Sequence, residues 1–313
     1  MSEHAVEEAD TGIRLDRWFK RHFPEVTHGL LEKALRKGDV RLNGKKAKAA
    51  DRVEKGQVIA VRLQVTGLRL QESETHNLKP VTYNLQPEDA RMMQEAVLYQ
   101  NAEVIVINKP PGLAVQGGSK ITKSVDSLLD ALRFDAGVRP KLVHRLDRDT
   151  SGVLVLARSA ASAAKLMKIF AGRTAEKTYW ALVKGAPQIQ DGKIDLPLAK
   201  QEEGDHEKVA IDEEGGKRAV THYRVIERLS RALAFVELMP ITGRTHQLRV
   251  HMAAIGHPII GDGKYGAREA MMDGLSGKLH LHARRIVIPG MLDVTAPLPK
   301  HMRESWERLG LEE

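Results

Sequence analysis

An aspartate between two arginines is the first residue of this chain whose setting suggests chemistry. Asp147 lies in HRLDRDTSG, residues 144–152, flanked by Arg145 and Arg148 and followed by the apolar run 153–157. A carboxylate held among cations stays ionised and oriented at neutral pH, which suits a nucleophile or a general base. Standing alone, Arg-Leu-Asp is more often a structural ion pair across a turn. Here Thr150, Ser151 and Gly152 predict a tight turn into a core strand. That places Asp147 on a loop braced by a sheet, where catalytic groups tend to sit. Asp149 is the competing carboxylate. Its spacing to Ser151 fits a local turn bond, so it is read as structural.

Arg249 sits in GRTHQLRVHMAAIGH, residues 243–257. Leu248, Met252 and Ile255 fall on one face of a predicted helix over residues 245–255. Arg249 flanks Leu248, and an arginine reaching inward from that face needs an anion, which a buried carboxylate would supply. Read alone, it is more often a surface arginine. His246, His251 and His257 are five and six residues apart, not the i, i+4 of a helical metal pair, and no HExxH occurs, so no metal is expected. Tyr179 lies in a predicted strand, residues 177–183, where an aromatic is usually core. With 4% aromatics, a base-stacking sheet of many rings is not expected. The glycine-rich GGSK (117–120) and GDGKYG (261–266) lack the spacing of a phosphate loop and read as turns, with Lys120 or Lys264 able to touch a phosphate.

These residues need elements to position them. Residues 1–10 read as a frayed acidic tail. Residues 12–36 read as two short helices: Ile13, Leu15, Trp18 and Phe19 form an apolar face, Pro24 breaks it, and Thr27 caps residues 29–36. A strand over 40–42, a turn at Asn43-Gly44 and a strand over 57–63 complete a small domain, residues 11–70. Residues 71–92, with Pro80 and Pro87, read as a linker. A larger domain, residues 93–313, opens with a buried strand at 103–107. It continues with a helix over 159–170 contacting the core through Leu166, Met167 and Phe170, and strands at 178–183, 220–226 and 232–238. Strands and helices mix without a regular βαβ repeat, which predicts an α+β fold.

Composition narrows the function. The chain has 313 residues, 42% hydrophobic and 29% charged, as in ordinary soluble proteins. No apolar run approaches 18 residues, so no membrane partner is expected. The acidic start does not read as a signal peptide, and cytoplasm is the default. The absence of cysteine excludes disulfides, iron–sulfur clusters, cysteine-bound zinc and the zinc deaminases. Residues 11–70 carry 15 Lys/Arg against 6 Asp/Glu, so the whole excess behind the net charge of +8 sits there. A local excess of this kind suggests a polyanion-binding module.

Together these segments resemble the RluA family of RNA pseudouridine synthases. Residues 12–65 resemble an S4 RNA-binding domain, through RLDRW (14–18) and RKGDVRLNG (36–44). Residues 100–290 resemble the catalytic domain in order: INKPPGLAVQGGS (107–119), HRLDRDTSGVLVLAR (144–158), EKTYWALVKG (176–185), TGRTHQLRVHMAAIGHPIIGDGKYG (242–266) and LHLHARRI (279–286). Gln116 departs from the His common there. The resemblance implies a pseudouridine synthase fold, a mainly antiparallel mixed sheet flanked by helices, behind a small S4-like α/β domain. It implies Asp147, Tyr179 and Arg249 as catalytic residues. Leu248, Arg145 and His144 are implied in the substrate pocket, and Arg14, Arg17, Arg36, Lys37, Arg41, Lys45 and Lys46 in RNA binding. No cofactor is implied, and a monomer is expected. The VQGGS loop with RDTSG points to the subgroup acting on several uridines of 23S ribosomal RNA. Two alternatives stay open: the same chemistry on another 23S uridine or on tRNA, and a non-catalytic S4-type ribosome-assembly protein.

Overall fold

The computed structural model describes all residues except 1, 24–25, 27, 62–84, 118–122, 135–136 and 204–205. It divides into two units, Met1–Leu78 and Lys79–Glu313.

The first unit packs α1 (Leu15–His22) and α2 (His28–Lys37) with a four-stranded sheet. Its strands β1 (Ser2–Ala5), β2 (Val40–Leu42), β3 (Lys45–Lys46) and β4 (Val58–Val61) run in the order β1-β4-β2-β3. Leu15, Trp18, Phe19, Leu31, Val40 and Ile59 form the core. The predicted Asn43-Gly44 turn is present, with both residues in the left-handed region (φ 48° and 74°) that a two-residue hairpin needs. The expected frayed tail, residues 1–10, is a correction: Ser2–Ala5 pairs with β4, Val6 is buried, and Asp10 accepts hydrogen bonds from Arg21 and His22. The acidic composition hid these anchors. The Thr27 cap lies outside the described residues.

In the second unit the expected linker over 71–92 also needs correction. Residues 62–84 are not described, but Pro87–Glu95 forms α3, with Met93 fully buried. Pro87 starts the helix rather than breaking one, since the first turn has no use for its missing N–H. Then come β5 (Val97–Gln100), β6 (Val104–Lys109), α4 (Val125–Leu128), β7 (Lys141–Leu142), β8 (Ser151–Ala157) and α5 (Ala160–Ala171). They are followed by β9 (Glu176–Lys184), β10 (Asp191–Asp195), β11 (Leu198–Glu203), β12 (His206–Ile211), β13 (Val220–Ser230) and β14 (Leu233–Pro240). The last are α6 (Gln247–Ala254), β15 (Leu281–Ile288), β16 (Leu292–Thr295) and α7 (Lys300–Leu309).

The main sheet runs β10-β13-β14-β9-β15-β8-β6-β5, with β16 beside β15 and β7 beside β8. The β8–β15 ladder is parallel and its neighbours are antiparallel, so the fold is α+β as expected. β6 and β8 are buried on both faces. Ile105, Ile107, Leu154 and Leu156 meet Met93 and α4 on one side. Val104, Val106, Val153 and Val155 meet Leu166 of α5 on the other. Met167 was expected to join that contact, but it is half-exposed at the solvent edge of α5, while Phe170 turns in against His144. Gly152 takes φ 109° where β8 begins, and a Cβ there would lie 2.2 Å from the Ala283 carbonyl oxygen. Only glycine lets the two backbones approach this closely.

Candidate active site

Asp147 stands on the loop between β7 and β8, and the loop is tied down on both sides of it. At the entrance, the Val155 N–H donates to Nε2 of His144 (2.8 Å), whose ring stacks on Phe170. Burial lowers the His144 pKa to about 3, so the imidazole stays neutral and keeps that lone pair. Leu146 is sunk in the core beside Asp147. Next to it, the fully buried Lys109 donates to the carbonyls of Pro110 (2.8 Å), Leu113 (2.8 Å) and Arg148 (2.9 Å). Burial pulls the Lys109 pKa down to about 7, against the field of Asp149 and Asp147. Three carbonyl acceptors nevertheless call for all three ammonium hydrogens. At the exit the Ser151 hydroxyl donates to Nδ1 of His282 (2.8 Å), because His282 Nε2 faces the Ala296 carbonyl and must donate there. The expected turn bond from the Asp149 side chain to the Ser151 backbone does not form, and Asp149 is exposed.

Arg249 projects from the first turn of α6 and is buried, not the surface residue that sequence alone favoured. It is near Asp147 but not locked onto it: Nη1 lies 4.0 Å from Asp147 Oδ2. Its close partner is Asp262, which sequence reasoning passed over as part of a turn. Arg249 Nε and Nη2 donate to the two Asp262 oxygens at 2.7 Å each. Burial opposes the guanidinium charge, but Asp262 outweighs it and raises the Arg249 pKa. Asp262 Oδ1 also accepts the backbone N–H groups of Lys264 (3.0 Å) and Tyr265 (3.1 Å). The guanidinium carbon lies 5.1 Å from the Tyr265 ring centroid.

A second missed residue, Gln247, fixes the start of α6. Its side-chain oxygen accepts from Thr242 Oγ1 (2.7 Å) and the Arg244 N–H (3.0 Å). Its amide nitrogen donates to the Val220 carbonyl (2.9 Å) and Thr221 Oγ1 (3.0 Å). All four hydrogen-bonding positions of this buried amide are used, which explains a polar residue in a helix buried nearly all round. His251 and His257 also serve structure, facing Thr221 and the Lys184 carbonyl. Among the described residues no cluster of three or more His, Cys, Asp or Glu could hold a metal.

Asp147 borders a cavity of about 410 Å³ whose walls include His144, Arg145, Tyr179, His246 and Leu248, so the sequence-predicted pocket residues do converge. Tyr179 extends from β9, and burial, with the Asp147 charge second, raises its pKa and keeps the phenol protonated. Exposed Arg145, Arg173 and Arg244 lie around this cavity. A second cavity of about 640 Å³ shares His246 with the first and adds Arg148, Arg249, Lys264 and Lys278. The arrangement offers an oriented carboxylate, an apolar and aromatic slot beside it, and cations around the entrance. It fits a planar base with an attached sugar on an anionic strand.

In the first unit Arg17, Arg36, Lys37, Arg41, Lys45 and Lys46 are exposed. Arg14 is also exposed but pairs with Asp16 at 2.6 Å. Arg41 donates to the Gly38 and Gly44 carbonyls, holding the basic hairpin turn. Lys120 lies outside the described residues, and no described helix is long and apolar enough to cross a membrane.

Comparison with known proteins agrees with this chemistry. Residues 103–254 match the family described as RNA pseudouridylate synthase. The chain is 39% identical over 282 residues to the ribosomal large subunit pseudouridine synthase C of Rickettsia bellii, covering 88% of this chain and 89% of that one. It is 32% identical to the protein of the same name from Vibrio cholerae, covering 97% and 95%. Among solved structures, human RNA pseudouridylate synthase domain containing 4 superposes with a TM-score of 0.60 at 32% identity, covering 72% of this chain and 96% of that one. The motifs, the sheet and the similarity along most of the chain agree, and the protein belongs to the RluA family of RNA pseudouridine synthases.

Proposed function

We propose that this enzyme isomerises uridines of 23S ribosomal RNA in the cytoplasm, with Asp147 acting at the ribose of a uridine turned out of its stack. The observation that carries the reading is the Asp147 carboxylate on the wall of a cavity, beside a buried arginine that a different carboxylate holds. Isomerisation breaks the C1′–N1 bond, turns the uracil, and joins C1′ to C5. Atoms are conserved, so the chemistry calls on no cofactor. Asp147 either attacks C1′ or removes the C2′ proton. Arg249, gripped by Asp262, holds a fixed positive charge 4.0 Å from it. Leu248 supplies apolar wall. Unstacking the uridine costs a few kcal/mol, and the cations around both cavities and on the first unit supply the backbone affinity. The first unit is read as an S4-like RNA-binding domain, and the 23S target rests on the names of the relatives in Rickettsia and Vibrio.

The test is release of tritium from C5-labelled RNA. Labelled 23S rRNA should release tritium well ahead of labelled tRNA, and the reverse order would overturn the target. Lys45→Ala with Lys46→Ala should weaken RNA binding and reduce its log–log salt slope by roughly 1–2, from two lost phosphate contacts. An unchanged slope would remove the hairpin from the RNA interface.

Tyr179 stacks on the uracil in this reading, and its phenol is held neutral. Tyr179→Phe should stay within about tenfold of wild-type turnover, while Tyr179→Ala loses about 10²-fold, the scale of one base–aromatic stack. Equal losses in the two variants would assign the effect to the hydroxyl.

A further inference from the structure

His246 has no part in the reading so far, yet its ring stands between two oxygens that matter. It heads α6 in the left-handed region (φ 52°). Its Nε2 lies 4.0 Å from Asp147 Oδ1, and its Nδ1 lies 2.6 Å from the Tyr265 hydroxyl. That hydroxyl also accepts the Val209 N–H (3.2 Å). Arg249 Nη1 lies 4.0 Å from the other Asp147 oxygen, Oδ2. The carboxylate thus has one nitrogen poised at each oxygen, both just outside hydrogen-bond range.

We propose that His246 is a positioning residue for Asp147: the Tyr265 hydroxyl donates to Nδ1, which fixes the imidazole proton on Nε2 and directs it at Asp147 Oδ1. The inference rests on the role proposed above for Asp147. Three arguments support it. A tyrosine hydroxyl that already accepts a backbone N–H uses its own proton for its second partner. The opposite tautomer would aim a nitrogen lone pair at a carboxylate, which is repulsive. Burial above all, with Arg249 and Lys264 adding their charge, keeps the ring neutral against the pull of Asp147 and Asp262. The phenol of Tyr265 is itself held protonated by burial.

The device has a chemical use. Each donor is gripped by a partner other than Asp147: Arg249 by Asp262, and His246 by Tyr265, with both partners on one turn. The donors are oriented without saturating the carboxylate. A carboxylate bound tightly by both would be a weaker base and nucleophile. One flanked at 4.0 Å keeps its lone pairs for the ribose and still sees one fixed charge and one fixed dipole.

The test compares three substitutions at His246. Gln places an N–H near the Nε2 position, Asn places one near Nδ1, and Ala places none. Asn suits the left-handed backbone better than Gln does, so backbone preference and the proposal predict opposite rankings. His246→Ala and His246→Asn should lower single-turnover kcat by about 10²-fold, the scale of one lost preorganised donor, with RNA affinity little changed. His246→Gln should recover to within about tenfold of wild type. Asn equal to or better than Gln, or a loss confined to RNA affinity, would overturn the proposal. A second readout needs no variant that folds: ¹⁵N shifts of labelled histidine in the full chain should show His246 protonated at Nε2, and a signal protonated at Nδ1 sinks the idea. Asp147→Asn run in the same assay separates the two readings. If that variant turns over normally, the role of Asp147 fails; if it is dead while Asn matches Gln at position 246, only the role of His246 fails.

Discussion

Asp147→Asn should bind RNA as the wild type does and turn it over at least about 10⁴-fold more slowly, a barrier increase of roughly 5 kcal/mol. The substitution keeps size and hydrogen-bonding reach but removes the charge and lone-pair strength needed at the ribose. Its cost to folding should be small. Asp147 is the more distant of the two carboxylates near Arg249, so no buried cation is stranded when it is neutralised. RNA affinity should hold or rise slightly, since a negative charge leaves a surface that meets a polyanion. The measurement is tritium release under single-turnover conditions beside filter binding of the same RNA. A residual rate within about a hundredfold of wild type would remove Asp147 from the chemistry. Asp149→Asn, at an exposed neighbouring carboxylate, serves as the control.

Asp262→Ala is the second large effect, and it should appear first as lost stability. Asp262 is almost wholly buried and neutralises a buried guanidinium through two hydrogen bonds of 2.7 Å. Breaking a buried pair from one side typically costs about 3–5 kcal/mol, because the surviving charge is left uncompensated. For a domain of this size that lowers Tm by roughly 10 °C. Turnover should fall about 10²-fold as well, since Arg249 loses its orientation and the turn bearing Tyr265 loses two backbone hydrogen bonds. The double variant Asp262→Ala with Arg249→Met separates these effects. Removing both charges should restore much of the stability and none of the rate. If the double variant is no more stable than the single one, the pair is not what holds α6 to the turn after it.

Asp147 and its loop were readable because the chemistry and the structural punctuation are contiguous: cation, carboxylate, turn, core strand. Arg249 was readable as an inward arginine in search of an anion, but the obvious anion was the wrong principal partner. Asp262 lies 13 residues further on, past the helix end and a proline, with no periodicity to connect it. In sequence its segment reads only as a glycine-rich turn. Gln247 was hidden in a similar way. Its four hydrogen bonds reach Thr242, Arg244, Val220 and Thr221, and the partners on β13 are distant in sequence. Of the main sheet, β6, β8, β9, β13 and β14 were legible from apolar runs, while β5, β7, β10, β15 and β16 were not, and the order was hidden because it depends on pairings such as β8 with β15 across more than a hundred residues. The errors at residues 1–10 and 87–92 have one origin. Charge and proline read in sequence as irregular chain, where a few buried side chains, Val6 and Met93 among them, decide otherwise.

The contact of Gly152 with Ala283 has a consequence for how such an enzyme diverges. The loop is secured from inside and behind, by backbone approach at Gly152, by Lys109 beneath and by Leu146 in the core. The side chains of Arg145, Arg148 and Asp149, which face outward, contribute little to that anchoring beyond one bond from Arg148 to the Gly112 carbonyl. On the role proposed for Asp147, the outward positions can therefore drift while its carboxylate keeps its place. In that reading the outward face of these nine residues can change its contacts with RNA without rebuilding the anchored side.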